Sequence, residues 1–270
     1  MRAHLYLDLP LAITGAALAT FYGPLPLAGA ALLASGLHTW GVLSPRSSLY
    51  LPVHWRLPAH CGAVALTFDD GPHPEVTPRL LDLLARSGAT ATFFVIGEHV
   101  RRHPALVARL VAEGHSLGLH SDTHDRRFNC WSSARVRRDL DACAAACADA
   151  TGQAPPRLFR PPVGLKNPLV GAVAQSLGLT CVTWMVRGRD TGNSNAQRVI
   201  ARLEPGLVSG GILLLHDGCE PRHPAKRQVC LEVVPVLLQR LAQAGLAARG
   251  IVACAAGVTA GPAATGTRRQ

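Results

Sequence analysis

At 270 residues, 48% apolar and only 16% charged, the chain can hold one large domain or two small ones, supplies a globular core easily and keeps an apolar surplus. Lys and Arg exceed Asp and Glu by 27 − 17 = 10, which favours an anionic neighbourhood such as phospholipid head groups, lipid phosphates or an anionic glycan. Nucleic acid is excluded as the expected partner, because the basic residues are scattered, aromatics are few and no nucleic-acid-binding motif is present.

The apolar surplus sits at the start. Leu5–Tyr22, interrupted by Asp8 and Pro10, and Leu25–Leu43, whose sole ionisable group is His38, are each near the ~20 residues that cross a bilayer. Gly23-Pro24 separates them. A signal peptide is the competing reading, but no charged block beyond Arg2 and no small-x-small cleavage site supports it. The expectation is a transmembrane helical hairpin over residues 1–44, with Asp8 at the interface; a single span or a re-entrant segment are the alternatives. Arg2, Arg46 and Arg56 flank the hairpin, so the positive-inside bias puts the rest of the chain on the cytoplasmic face of a bacterial-type inner membrane. Eight scattered cysteines without a Cys-x-x-Cys suit a reducing compartment, and Cys143 and Cys147 read as small buried residues of a helix.

Pro45–Pro58 reads as an irregular connector within a linker over 45–60. From Cys61 onward apolar runs alternate with helical patterns. Strands are expected at Ala63–Phe68, Ala91–Ile96, Ser116–Leu119, Arg157–Arg160, Thr180–Trp184, Gly211–Leu215 and, weakly, Leu246–Val252. Helices are expected at Pro78–Arg86, Pro104–Glu113, Ser132–Ala150, Asn167–Leu177, Ala196–Leu203 and Val229–Ala244. Gly88, Gly114, Gly178 and Gly245 stand at helix C-cap positions. This rhythm predicts a mostly parallel sheet, open or closed into a barrel, over 61–256, followed by a loose tail over 257–270.

Four stretches carry chemistry. Val64–Phe68 is an apolar strand that ends on Asp69-Asp70-Gly71-Pro72, the way barrel enzymes deliver acids at strand ends. Adjacent strand residues point to opposite sides, so the two carboxylates are expected to do different jobs. His120 and His124, four apart, would share one face of a helical turn; with a strand-end Asp they make a two-His, one-carboxylate site with open positions. Arg160 follows a strand and can pin a carboxylate through its fork of donors, while Pro161 and Pro162 stiffen a loop that leaves the Val163 N–H free for a ligand. Leu213–Leu215 ends on His216-Asp217-Gly218 and repeats the opening design. Taken singly, each has a bland reading: a capping turn, a chance His pair, a surface Arg, a structural His. His73 reads as a loop residue.

The ordered set Thr-Phe-Asp-Asp-Gly-Pro, His-Ser-x-x-His, Arg-Pro-Pro-x-Gly and Leu-x-Leu-His-Asp resembles the polysaccharide deacetylase family, the NodB-homology group of carbohydrate esterase family 4 type, over roughly Ala63 to Val252. The resemblance implies a distorted (β/α) barrel (NodB-like) and a hydrolase that removes N-acetyl groups from a carbohydrate with one divalent metal ion, usually zinc. It implies Asp69 as general base, Asp70, His120 and His124 as metal ligands, Arg160 as the residue that holds Asp69, and His216 as general acid. Pro162, Val163, Gly164 and Leu214 would bind substrate, the Val163 amide at the oxyanion and Leu214 at the acetyl methyl.

Three departures stand out. Val163 occupies a position where the family usually carries an aromatic, Leu119 precedes His120 where Asn is common, and Trp184–Thr191 replaces an Asp-rich stretch with Trp. Within it, Asp190 is the expected partner of His216, whereas Arg187 and Arg189 look unlike a groove for neutral chitin. Two rivals follow: a deacetylase or deformylase of a polyprenyl-phosphate-linked sugar, and an inactive glycan-binding or scaffold subunit. The expected partners are an N-acetylated carbohydrate or lipid-linked glycan and a membrane.

Overall fold

The computed structural model describes residues 5–22, 24–191, 195–221 and 229–252, with side chains at all of these except 5–9, 21 and 22. The expected tail, Arg2 and Cys254 lie outside the described residues, and so does the Asp8 side chain.

The chain begins with α1 (Leu5–Tyr22) and α2 (Leu25–Leu43), which pack against each other. A Cβ on Gly15 would come within 2.9 Å of the Ala30 Cβ, so a small residue is what lets the two backbones approach. Among the described residues one helix, Leu25–Leu43, is long and apolar enough to cross a membrane; the apolar stretch of α1 over Pro10–Thr20 is shorter. Neither helix is amphipathic in the manner of a core helix: Leu25, Leu32, Leu33, Trp40 and Leu43 of α2 and Ile13 of α1 are exposed.

The remainder is an α/β unit around one parallel sheet. Its strands are β1 (Val53–His54), β2 (Ala63–Gly71), β3 (Thr92–Val95), β4 (Ser116–Leu119), β5 (Leu158–Phe159), β6 (Thr180–Val182), β7 (Val186–Arg187), β8 (Ile212–His216) and β9 (Ala247–Ala248). The spatial order is β1-β6-β5-β4-β3-β2-β8-β7, every ladder is parallel, and β9 also pairs with β2. The helices are α3 (Val76–Arg86), α4 (Gly97–Arg102), α5 (Pro104–Ala112), α6 (Ser133–Thr151), α7 (Pro168–Ser176), α8 (Ala196–Leu203) and α9 (Val229–Gln243).

Strand alternation divides the core in two. Val64, Leu66 and Phe68 face the helical layer with Leu80, Leu84 and Leu140. Ala63, Ala65, Phe94, Leu158, Val182, Trp184, Ile212 and Leu214 join in a second cluster. Side chains from five strands can meet on one face only if the sheet is curled, so the architecture is a half-barrel. It stays open: among the described residues β1 and β7 do not pair with each other, although Arg56 bridges antiparallel to Gly211 at the bottom of β8.

The expected strands and helices are present with shifted ends. The connector expected to be irregular holds β1, and two short elements, α4 and β7, were not anticipated. They are too short for any periodicity to register. The weak last strand is confined to Ala247–Ala248, because Ile251 and Val252 are already helical. Gly88, Gly114, Gly178 and Gly245 all have positive φ, as C-cap glycines require.

Candidate active site

Asp69 and Asp70 end the central strand. Opposite Phe94 and Val95 of β3 the register slips between Asp69 and Gly71, leaving Asp70 as a bulge with φ +69°. The bulge corrects the simple alternation expected from the sequence: both carboxylates line the same cavity. The Asp70 carbonyl accepts a hydrogen bond from His99 Nδ1 of α4 at 3.0 Å, which fixes the bulged peptide.

Arg160, at the end of β5, is entirely buried rather than at the surface. Nη1 donates to Asp69 Oδ1 at 2.6 Å and Thr67 Oγ1 at 2.9 Å, Nη2 to the Thr183 carbonyl at 2.9 Å, and Nε to the Val182 carbonyl at 3.1 Å. Phe94 lies under the guanidinium, 4.1 Å from its carbon. Asp69 is therefore oriented by one oxygen, and its Oδ2 is left on the His120 side, 3.7 Å from Nε2.

Asp70, His120 and His124 converge, with one ligand atom from each all within 4.8 Å of one another. His124 Nε2 is 3.4 Å and His120 Nε2 3.6 Å from Asp70 Oδ1. His120 Nδ1 donates to the Arg160 carbonyl at 2.7 Å, which leaves Nε2 with its lone pair. Burial holds this imidazole below its ordinary pKa, against the pull of Asp69, so it is neutral, the form that ligates. The Nδ1 of His124 is buried without a hydrogen-bond partner among the described residues. Two nitrogens and a carboxylate, one with its tautomer fixed, fit a divalent cation.

The histidines do not share a helical turn. Residues 120–124 are an irregular loop with bends at Asp122 and Thr123, and with Ser121 at φ +67° and His124 at φ +48°. The loop is pinned from outside: Asp139 of α6 accepts from the Asp122 amide at 2.8 Å and the Thr123 hydroxyl at 3.2 Å, and Arg101 of α4 grips Asp122 with two bonds at 2.7 and 2.8 Å. That convergence is tertiary, which is why the four-residue spacing suggested the wrong local structure.

His216 ends β8 directly beside Asp69 in the β2–β8 register. Its Nδ1 donates to Asp190 Oδ1 and its backbone N–H to Oδ2, both at 2.8 Å. Burial acts to lower the imidazole pKa, but the charge and hydrogen bond of Asp190, helped by Asp70 and Asp69, outweigh it and raise the value to about 9. The expected partnership of Asp190 and His216 is thus present.

The floor and rim are Leu214, Val163, Gly164 and Trp184, around a cavity of ≈ 400 Å³, the size range of a small-ligand site. Val163 holds φ +60°, unusual for a β-branched residue, and is exposed. The Gly164 and Leu165 amides close the turn on the Pro161 and Pro162 carbonyls, and the Val163 amide takes no part in that closure. Gly164 has φ +74° and a Cβ there would collide with the Trp184 ring at 2.2 Å. Pro162 is buried beneath the turn.

A family model described as polysaccharide deacetylase matches residues 56–182. Over 159 residues the chain is 40% identical to a chitooligosaccharide deacetylase of Bradyrhizobium sp., covering 59% of this chain and 72% of that one. The chain belongs to the polysaccharide deacetylase family. It is accordingly a hydrolase acting on carbon–nitrogen bonds other than peptide bonds, a carbohydrate deacetylase. It is also 37% identical over 172 residues to a peptidoglycan-N-acetylglucosamine deacetylase of Bacillus cereus, covering 63% and 79% of the two chains. A solved family 4 carbohydrate esterase of Streptomyces lividans, in complex with acetate, is 34% identical with a TM-score of 0.62, covering 69% of this chain and 91% of that one.

Several residues of this deacetylase site were not singled out in the sequence. Thr67 accepts from the Arg160 guanidinium that holds Asp69, and His99 holds the Asp70 carbonyl, through hydrogen bonds that no spacing announces. Glu220 reaches the cavity from beyond His216 and pairs with Arg126 at 2.9 Å. Trp184, Arg187 and Arg189, which the sequence did set apart in the stretch that departs from the family pattern, also line it. For His99 and Glu220 the available signal was position past a strand's C-terminal end, whereas Thr67 lies within β2 and offered none. His73 is a loop residue, as expected, and its ring accepts from the Glu75 amide at 3.2 Å.

Proposed function

We propose that this protein hydrolyses the N-acetyl amide of a carbohydrate with a divalent metal, zinc, held by Asp70, His120 and His124. The supporting observation is the convergence of those three donors beside two oriented pairs, Asp69–Arg160 and His216–Asp190, on one cavity. Bound there, the cation supplies Lewis acidity toward the acyl oxygen and acidifies water. Asp69 accepts the proton of the attacking water at Oδ2, since Oδ1 is committed to Arg160. The Val163 amide faces the oxyanion that develops on the acyl oxygen. His216, protonated at Nε2 while Nδ1 is held by Asp190, gives that proton to the leaving amine. Acetate and a free amino sugar result, with Leu214 against the acetyl methyl and Pro162 and Gly164 shaping the loop.

The test is acetate release from a panel of N-acetylated glycans by full-length protein, before and after chelation and after return of zinc. Turnover lost on chelation and restored by zinc is expected. Metal-independent turnover removes the metal from the mechanism, and no turnover on any glycan favours the inactive-scaffold alternative.

We further propose that α1 and α2 form a membrane hairpin. The support is the apolar length of Leu25–Leu43, its exposed leucines and the close Gly15–Ala30 contact. With Arg46 and Arg56 just beyond α2, the catalytic unit lies on the cytoplasmic face of an inner membrane. Retention through a high-salt wash is expected, because apolar burial is not screened as charge pairing is; release by salt alone overturns the anchor.

A further inference from the structure

We propose that Arg187 and Arg189 form a phosphate-recognition wall, so that the substrate is an N-acylated sugar carrying a phosphate ester; the proposal rests on the deacetylase reading above. The placement comes from the edge strand β7. Val186 turns toward the helical layer, where it crowds Gly206, so Arg187, one residue on, faces the concave side in register with Leu214. Arg187 and Arg189 both line the cavity that holds His216. Arg202 of α8 donates to the Gly188 carbonyl between them at 3.3 Å and brings a third cation to the same bend.

The acids of this cavity are already engaged. Asp69 is matched by Arg160, Asp190 by His216 and Glu220 by Arg126, while Asp70 belongs to the metal trio. Among the described residues Arg187 has no carboxylate partner. None is at hand in sequence either: from Val186 to Leu203 the sole acid is Asp190, and residues 222–228 contain Arg222, Lys226 and Arg227 but no Asp or Glu. Arg187 and Arg189 are both exposed and both line the cavity, so an anion bound there would meet two positive charges two residues apart. Arginine's planar fork suits a phosphate better than a point charge would.

The anchor adds a reason for phosphate in particular. Immediately after α2, the Ser44 carbonyl accepts from Lys166 Nζ at 2.6 Å and the Pro45 carbonyl from the Thr183 hydroxyl at 2.6 Å. Lys166 and Thr183 are near neighbours in sequence of Gly164 and Trp184, which form the cavity rim. With α2 in a bilayer, the cavity sits close to the layer of head-group phosphates. A lipid-linked sugar and a soluble sugar phosphate present the same chemistry, and the experiment separates them.

The test uses detergent-solubilised full-length protein with zinc and compares methyl N-acetylglucosaminide, N-acetylglucosamine 1-phosphate and polyprenyl-diphosphate-linked N-acetylglucosamine. The expected kcat/KM for the 1-phosphate exceeds that for the neutral glycoside by roughly tenfold or more, falls with added salt, and loses its lead in R187Q/R189Q. Turnover of the neutral glycoside with no preference for the phosphate, or a preference unchanged in the double variant, overturns the proposal and leaves the deacetylase reading intact. If neither small substrate is turned over, the deacetylase reading fails for them, and calorimetry with glucosamine 1-phosphate decides. Binding that is lost in R187Q/R189Q supports the wall, and absence of binding overturns it. A further gain with the polyprenyl-linked substrate assigns the phosphate to a lipid carrier; a rate no better than the 1-phosphate's assigns it to a soluble sugar.

Discussion

Two carboxylate–cation pairs stand side by side on neighbouring strands, Asp69–Arg160 and Asp190–His216, and they use one electrostatic device for opposite ends. In the first the carboxylate faces the reaction and the cation is hidden; Arg160 is wholly buried, spends its donors on four oxygens, and cannot give up its proton. In the second the carboxylate is hidden and the cation faces the reaction; Asp190 is buried and the His216 side chain keeps 17% exposure. A base needs a permanent counter-charge behind it, and an acid needs a counter-charge that raises its pKa without removing its proton. On the proposed mechanism, adjacent residues in a ladder take different roles according to what stands behind them.

The largest effect is expected from removing the centre that both pairs flank. His120→Ala with His124→Ala should abolish bound metal and turnover together, as read by elemental analysis and acetate release. Stoichiometric zinc in that double variant would displace the assigned site. Next, Asp69→Asn should keep the metal and lose ~10²–10⁴-fold in rate, the range of general base catalysis, whereas Asp70→Asn should lose metal. Equal metal content in these two variants would dissolve the distinction between the adjacent acids.

Breaking the hidden cation tests the first pair as structure. Arg160→Met strands Asp69 and should cost about 3–5 kcal/mol in urea unfolding, the penalty for breaking a buried pair. A cost near that of an exposed pair, ~0–1 kcal/mol, would contradict the buried network.

The mildest change is Asp190→Asn. His216 donates only when protonated, so activity should fall as pH rises through its raised pKa, about 9 with no cation at Asp70. A dication there opposes the contributions of Asp70 and Asp69, so variants are compared in the same metal state. Removing Asp190 leaves burial, which lowers the pKa, and the alkaline limb should move down toward or below the ~6.5 of a free imidazole. Overlaid limbs for the two proteins would remove Asp190 from the acid.

What could be read from the sequence was whatever is local. Apolar runs ending in Asp69, His120 and His216 marked strand ends, the C-cap glycines marked helix ends, and the ordered motifs named the family. The Asp190–His216 pairing spans 26 residues, so it was legible only through the family resemblance, within the stretch Trp184–Thr191 that departs from the family pattern. The sequence could not supply the bulge at Asp70, the irregular loop at 120–124 or the depth of Arg160. Each depends on partners far along the chain: the slipped β2–β3 register and His99 for the bulge, Asp139 and Arg101 for the loop, and Thr67, Val182 and Thr183 for the guanidinium. Periodicity and capping report forces within a few residues, so they determined which side chains reach the rim. Their direction at the rim was decided by hydrogen bonds between distant segments, which exist only once the sheet has curled.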